Sequence, residues 1–202
     1  IDLVFEINEG EPTKVARISF IGNEFFDDED LRENVQTKES VWYRFLSSDD
    51  TYDPDRLTLD RELLRRFYLR KGFADFRVQS AVAELTRDRK NFFITFSVQE
   101  GKRYRFGKVD VVTTIRNLDV ESLRKEVDID PGDWYDASEV DKTIDTLTEA
   151  VGEKGFAFVE VRPRLDRDRD KRPIDVVFEV NEGPRVFVER INIVGNARTQ
   201  DD

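Results

Sequence analysis

Three stretches of the chain alternate apolar and polar residues at period two, and the three align. Ile1, Leu3, Phe5 and Ile7 correspond to Phe92, Ile94, Phe96 and Val98, and to Ile174, Val176, Phe178 and Val180. One greasy face in each predicts a half-buried strand. Each stretch runs into a Glu-Gly pair (Glu9-Gly10, Glu100-Gly101, Glu182-Gly183) and then into a second strand. The likeness reaches identity. IDLVFEINEGEPTKVARISFIGN at Ile1–Asn23 returns without a gap as IDVVFEVNEGPRVFVERINIVGN at Ile174–Asn196, and Phe92–Val112 is a weaker copy between them. A repeat of this kind decides the architecture.

Between the alternating stretches the apolar period lengthens to that of a helix. Leu31 and Val35 follow Asp27 and Asp28, predicting a helix to about Gln36. Leu57, Leu64, Phe67 and Tyr68 follow Asp53-Pro54, a cap and a first helical residue whose missing N–H costs nothing. In the second unit Leu123 and Val127 follow Asp119, and Val140, Ile144, Leu147 and Val151 follow Asp136, with Glu139 at capping-box spacing. Lys71-Gly72-Phe73-Ala74 and Lys154-Gly155-Phe156-Ala157 close the second helix of each unit, so Gly72 and Gly155 are expected in the left-handed conformation. Strands are expected over 15–21, within 73–85 and over 92–98, and again over 108–112, 159–165 and 174–180, with turns at 86–91 and 166–173.

Each unit is thus β-α-α-β-β. Strand directions and a right-handed crossover predict an α+β fold: a three-stranded mixed sheet of order 1-3-2, with two antiparallel helices on one face. The third strand is central and the second lies at an edge. The expected division is residues 1–11, the last strand of a preceding unit; 12–102 and 103–183, two complete units; and 184–202, the first strand of a following one. The orphan strands 1–10 and 186–194 are expected to extend neighbouring units or to pair between molecules. The chain opens on a strand with no signal peptide, so it is expected to be part of something longer.

A net charge of −11 argues against nucleic acid or an anionic membrane surface as the main partner. No apolar run reaches the roughly 18 residues of a membrane-spanning helix. With no histidine and no cysteine there is no imidazole base, no thiolate nucleophile and no ordinary zinc site. Asp166-x-Asp168-x-Asp170 begins like a calcium loop, but Lys171 and Val177 stand where glycine and glutamate are needed, so it reads as a solvated turn. The acidic run Asp27–Asp30 complements a helix N-terminus, and the basic run Arg87–Lys90 fits a turn. No cofactor is expected, and no enzyme. An acidic hydrolase would need paired carboxylates in a cleft.

The order of elements, the turns Ile21-Gly22-Asn23 and Val194-Gly195-Asn196, the Tyr52-Asp53 and Tyr135-Asp136 helix starts and the two Lys-Gly-Phe-Ala links together resemble POTRA domains, the polypeptide-transport-associated modules. The resemblance covers essentially the whole chain. A tandem array with such short links is most similar to the periplasmic part of outer-membrane β-barrel assembly factors. There the aromatic segment Trp42, Tyr43, Phe45 and Leu46 resembles an insertion in the third of five repeats. The resemblance implies a periplasmic scaffold that receives unfolded outer-membrane barrel proteins and docks accessory lipoproteins, beside a C-terminal membrane barrel of its own chain. Similar modules serve two-partner secretion transporters and cell-division scaffolds, which is the alternative reading.

The physical handle is a free strand edge, which can pair with any extended chain. Strand 77–85 carries Val78, Gln79, Ser80, Ala81, Val82, Ala83, Glu84 and Leu85, with no proline and charges only near its ends, so a guest strand is expected there. Strand 159–165 has Pro163 in its middle, which blunts that edge. Trp42, Tyr43, Phe45 and Leu46 either pack over their own helices or form a partner patch.

Overall fold

The computed structural model describes residues 13–40, 50–156, 158–167 and 173–183. In the first unit these form β1 (Lys14–Ile21), α1 (Asp28–Glu33), α2 (Pro54–Arg70), β2 (Arg77–Leu85) and β3 (Asn91–Gln99). The second unit repeats the order with β4 (Arg105–Thr113), α3 (Val120–Arg124), α4 (Ala137–Glu153), β5 (Val159–Arg167) and β6 (Pro173–Glu182). The sheets have orders β1-β3-β2 and β4-β6-β5. In each, the central strand is parallel to the first and antiparallel to the second. The α+β fold and the 1-3-2 order expected from the strand directions are what is observed.

The alternation sets which face is buried. Ile94, Phe96 and Val98 of β3, and Ile174, Val176, Phe178 and Val180 of β6, lie under the helices, while intervening residues face away. Phe96 and Phe178 are fully buried, and truncating either to alanine is expected to cost about 3–5 kcal/mol. The first core is aromatic: Tyr68 stacks on Phe76 at 3.9 Å between centroids, and Phe26 meets Phe67, Tyr68 and Phe73 edge-on. The second is mainly aliphatic, built on Leu123, Leu147, Val151 and β6.

Aspartates cap the helices. Asp27, Asp53, Asp119 and Asp136 each accept backbone N–H groups of the first turn. Both long helices close with two reversed bonds. Phe73 and Gly72 donate to the Tyr68 and Leu69 carbonyls, and Phe156 and Gly155 to those of Val151 and Gly152. Gly72 and Gly155 have φ of 95° and 91°.

The structure departs from the sequence reading at boundaries and bulges. Helix α1 ends at Glu33: Asn34 N–H donates to the Leu31 carbonyl in a tightened last turn, and the N–H groups of Gln36 and Thr37 turn to the buried carboxylate of Asp60. Strand β4 starts at Arg105, because residues 132–134 pair with its beginning. Register shifts interrupt β1 between Val15 and Arg17, β2 between Val78 and Ser80, and β4 between Phe106 and Val109. The terminal strands expected at 1–10 and 186–194 lie outside the described residues.

Candidate functional site

An order of 1-3-2 leaves two edges per sheet, and the four edges differ in what already occupies them. On β1 the chain itself fills the outward positions from Thr13 to Ile18. Val15 donates to the Asp50 carbonyl at 2.7 Å and accepts from the Ser40 N–H at 2.7 Å. Ile18 donates to the Glu39 carboxylate at 2.8 Å and accepts from Arg32 at 3.2 Å. Tyr52 donates to the Thr13 carbonyl, and Thr51 bridges Lys14. Three side chains hold this cover in place. Asp60, fully buried on α2, accepts Gln36 N–H at 2.6 Å. Asp50 is paired with Lys14 at 2.7 Å, and that bond holds its carboxyl below the usual carboxylate range. Glu39 has the Arg32 guanidinium beside it at 3.8 Å.

The start of β4 is covered in the same manner. Phe106 donates to the Asp133 carbonyl and accepts from Gly132 N–H, both at 2.8 Å. On β5, five of the nine residues in VEVRPRLDR are charged, and Pro163, opposite Phe178, offers no donor. Arg162 and Arg164 are held by Glu160 and Glu179 at 2.7 and 3.1 Å. Charge and proline together discourage a further strand there.

Strand β2 is different. Its ladder runs antiparallel to β3 from Arg77↔Gln99 to Leu85↔Phe92. Among the described residues, no backbone hydrogen bond reaches its outer side. Alternate N–H and C=O groups therefore face outward. Charges are confined to Arg77 and Glu84. Core-facing Ala81 and Ala83 are small, and on the helix-free face Val82, opposite Thr95, is 49% exposed. Phe93 of β3 adds an exposed ring to that open face. The bulge at Gln79 falls inside Val78–Leu85, so regular pairing geometry spans Ser80 to Leu85.

Sequence reasoning missed the residues that seal β1. Asp60 did carry a signal, as a carboxylate on the apolar stripe of α2 between Leu57 and Leu64. Glu100 carried one as well, as the acidic member of a repeated Glu-Gly pair. It is buried, accepts the Tyr68 hydroxyl at 2.7 Å and accepts Phe25 N–H at 3.0 Å. Burial, then the bond to Glu100, pushes the Tyr68 phenol far above its ordinary value. Trp42, Tyr43, Phe45 and Leu46 lie outside the described residues. Among those described, no three acidic groups gather closely enough to hold a metal ion, and no helix is long and apolar enough to cross a membrane.

The units meet through a short connection. Tyr104 is buried, donates its N–H to the Gly72 carbonyl at 2.9 Å and its hydroxyl to Asp75 at 2.5 Å. Arg167 of β5 reaches back to the Ala74 carbonyl at 2.9 Å and to Asp75 at 3.2 Å.

Comparison with known proteins agrees with this architecture. The POTRA family model, described as a surface antigen variable number repeat, matches residues 13–101 and 104–183. The outer membrane protein assembly factor BamA of Neisseria meningitidis serogroup B is 25% identical over 202 residues, 100% of this chain and 25% of its own length. BamA of Neorickettsia risticii is 29% identical over 201 residues, 100% of this chain and 27% of its own. The chain therefore spans about a quarter of the length of these curated relatives. The crystal structure of Haemophilus influenzae BamA POTRA3-5 superposes with a TM-score of 0.75 at 19% identity, covering 96% of this chain and 76% of that one.

Proposed function

The chain belongs to the POTRA family, and from that premise we propose that it is a periplasmic polypeptide-binding module of an outer-membrane protein assembly machine. In this reading residues 12–102 and 103–183 are its third and fourth repeats. They act by binding rather than catalysis, beside a membrane barrel formed by the rest of a longer chain. Extended segments of unfolded barrel proteins add to β2 along Val78–Leu85, and accessory lipoproteins dock on the array. Strand addition suits such clients because main-chain bonds provide affinity without demanding a sequence.

One observation carries the proposal. Among the described residues of the first unit, β1 is covered by the chain's own residues from Lys14 to Ile18 while β2 keeps its outward donors and acceptors. The corresponding β5 edge in the second unit is blunted by Pro163 and by paired charges.

The test places single prolines at positions 79 to 83 and titrates a ten-residue peptide of alternating valine and threonine. Prolines at outward-facing nitrogens remove a bond to the guest and leave the ladder to β3 intact. Each should weaken binding about fivefold, for one net hydrogen bond of about 1 kcal/mol, with circular dichroism unchanged. Prolines at inward positions disturb the sheet itself. Hydrogen exchange should show guest-dependent protection along Val78–Leu85 and none along Val159–Leu165. Binding indifferent to every proline, or equal protection on the Pro163 strand, removes the proposal.

A further inference from the structure

The surface where the units meet carries two arginines that the fold positions but does not neutralise. The guanidinium carbons of Arg103 and Arg105 lie 3.9 and 3.8 Å from Trp134 ring centroids, and Arg103 is 5.5 Å from the ring of Phe25. Trp134 is 43% exposed and Phe25 57%. The side chains are held rather than waving: Arg103 Nε donates to the Lys71 carbonyl at 2.8 Å, Arg105 Nη1 donates to the Gly132 carbonyl, and the Trp134 backbone bridges Arg105. These bonds use one N–H of each guanidinium, leaving several donors along each edge. Among the described residues, no carboxylate lies within ion-pair distance of either arginine. Elsewhere Arg124, Arg162, Arg164 and Arg167 each have one within 3.2 Å. In a chain with 44 acidic residues against 33 basic ones, two adjacent uncompensated arginines form a local positive site on an acidic protein.

We propose that the stack of Arg103, Trp134 and Arg105, flanked by Phe25, is a docking point for an acidic polypeptide segment carrying a carboxylate beside an apolar side chain. A guanidinium lying on an indole keeps its in-plane N–H groups for a carboxylate, which accepts them in pairs. The exposed parts of Phe25 and Trp134 supply the apolar half of the contact. Tryptophan and arginine are the residue types that dominate binding when an interface closes over them. A short peptide seated on the two arginines is screened from most of the net charge of −11 beyond a Debye length of about 8 Å, whereas an anionic membrane would face the acidic surface broadly. Because this surface uses no strand edge, it is independent of binding at β2.

The test uses the 202-residue chain with Trp42→Phe, which leaves Trp134 as its only tryptophan. The probe is an acetylated Glu-Pro-Phe-Glu-Pro peptide, whose prolines prevent strand addition, and the control replaces its glutamates with lysines. Trp134 emission should change saturably with the acidic peptide and not with the lysine peptide. Affinity should fall about tenfold in the Arg103→Gln/Arg105→Gln variant and decline as salt rises. If that variant melts early, Arg105→Gln alone carries the comparison, since it gives up only the Gly132 carbonyl and one face of Trp134 and leaves the Arg103 bond to Lys71 in place. No saturable change, an equal response in the glutamine variants, an equal response to the lysine peptide, or a response confined to phosphatidylglycerol vesicles overturns the proposal.

Discussion

Gly72 and Gly155 form a matched pair from which the contribution of the inter-unit connection can be measured. Both follow a 17-residue helix and both hold φ near +90°. An alanine at either position carries the left-handed penalty of about 1–2 kcal/mol. Part of it, about 0.4–1 kcal/mol, is returned through the stiffer unfolded chain. For Gly155→Ala that is the whole effect, because among the described residues nothing lies within 4 Å of the new Cβ. A net cost of about 1 kcal/mol is expected. At Gly72 the Cβ would sit 3.0 Å from Arg103 Cγ and 3.3 Å from the Tyr104 carbonyl oxygen. Neither neighbour retreats freely, since Arg103 is bonded to Lys71 and the Tyr104 carbonyl accepts Tyr135 N–H. Overpacking of this kind adds at least about 1 kcal/mol, so Gly72→Ala should cost about 2 kcal/mol. Urea unfolding monitored by far-ultraviolet circular dichroism gives the midpoints. Trp134 emission in the Trp42→Phe background reports the second unit separately, since the units need not unfold together. Equal losses for the two variants, or a neutral outcome at either, would refute the reasoning.

Two further outcomes follow from buried polar groups. Glu100→Ala strips partners from both the Tyr68 hydroxyl and Phe25 N–H, and should destabilise by about 2–3 kcal/mol. Tyr68→Phe leaves Glu100 its backbone donor and should cost about 1 kcal/mol. Reversed ranking of the two in urea melts would contradict this assignment. The Asp50 carboxyl is depressed by its bond from Lys14, so its stabilisation is present above the unfolded value of about 4 and is lost as pH falls through the folded one. The stability gap between the parent and Asp50→Asn should therefore be constant from pH 5 to 8 and narrow towards pH 3. A gap unchanged at pH 3 would contradict the ion-pair assignment.

Local features were legible in the sequence because each is written in a few neighbouring residues. Period-two alternation located β3 and β6, Asp53-Pro54 and Asp136 opened the long helices, and Gly72 and Gly155 closed them. The bulge at Gln79 left no such trace, and that at Gly107-Lys108 left only the glycine, since a one- or two-residue slip depends on what the partner strand demands. Asp175 shows the cause in the second case: its carboxylate accepts Lys108 N–H at 2.6 Å and occupies the space beside Gly107 that a side chain would need. The candidate edge at β2 was visible as a strand without proline. That β1 is unavailable was not visible, because its cover is assembled from Ser40, Glu39, Asp50 and Asp60, residues distant in sequence whose bonds to β1 and to the 36–37 segment exist only after folding.

The sealed β1 edge also governs valency. A sheet open on both sides can stack head to tail, the first strand of one molecule on the second of the next, and such a heterologous contact has no natural end. With β1 occupied from Lys14 to Ile18, too little of it is left to carry a ladder, and among the described residues the edge open to a second copy of the first unit is β2 against β2. That contact is twofold and closed, so self-association of this unit stops at a pair and cannot run on into a fibre. The residues 37–40 and 50–52 that look like a mere detour between helices thus act as a chain terminator. If β2 binds extended chains as proposed, they leave the unit that one adhesive edge without a route to polymerise through it.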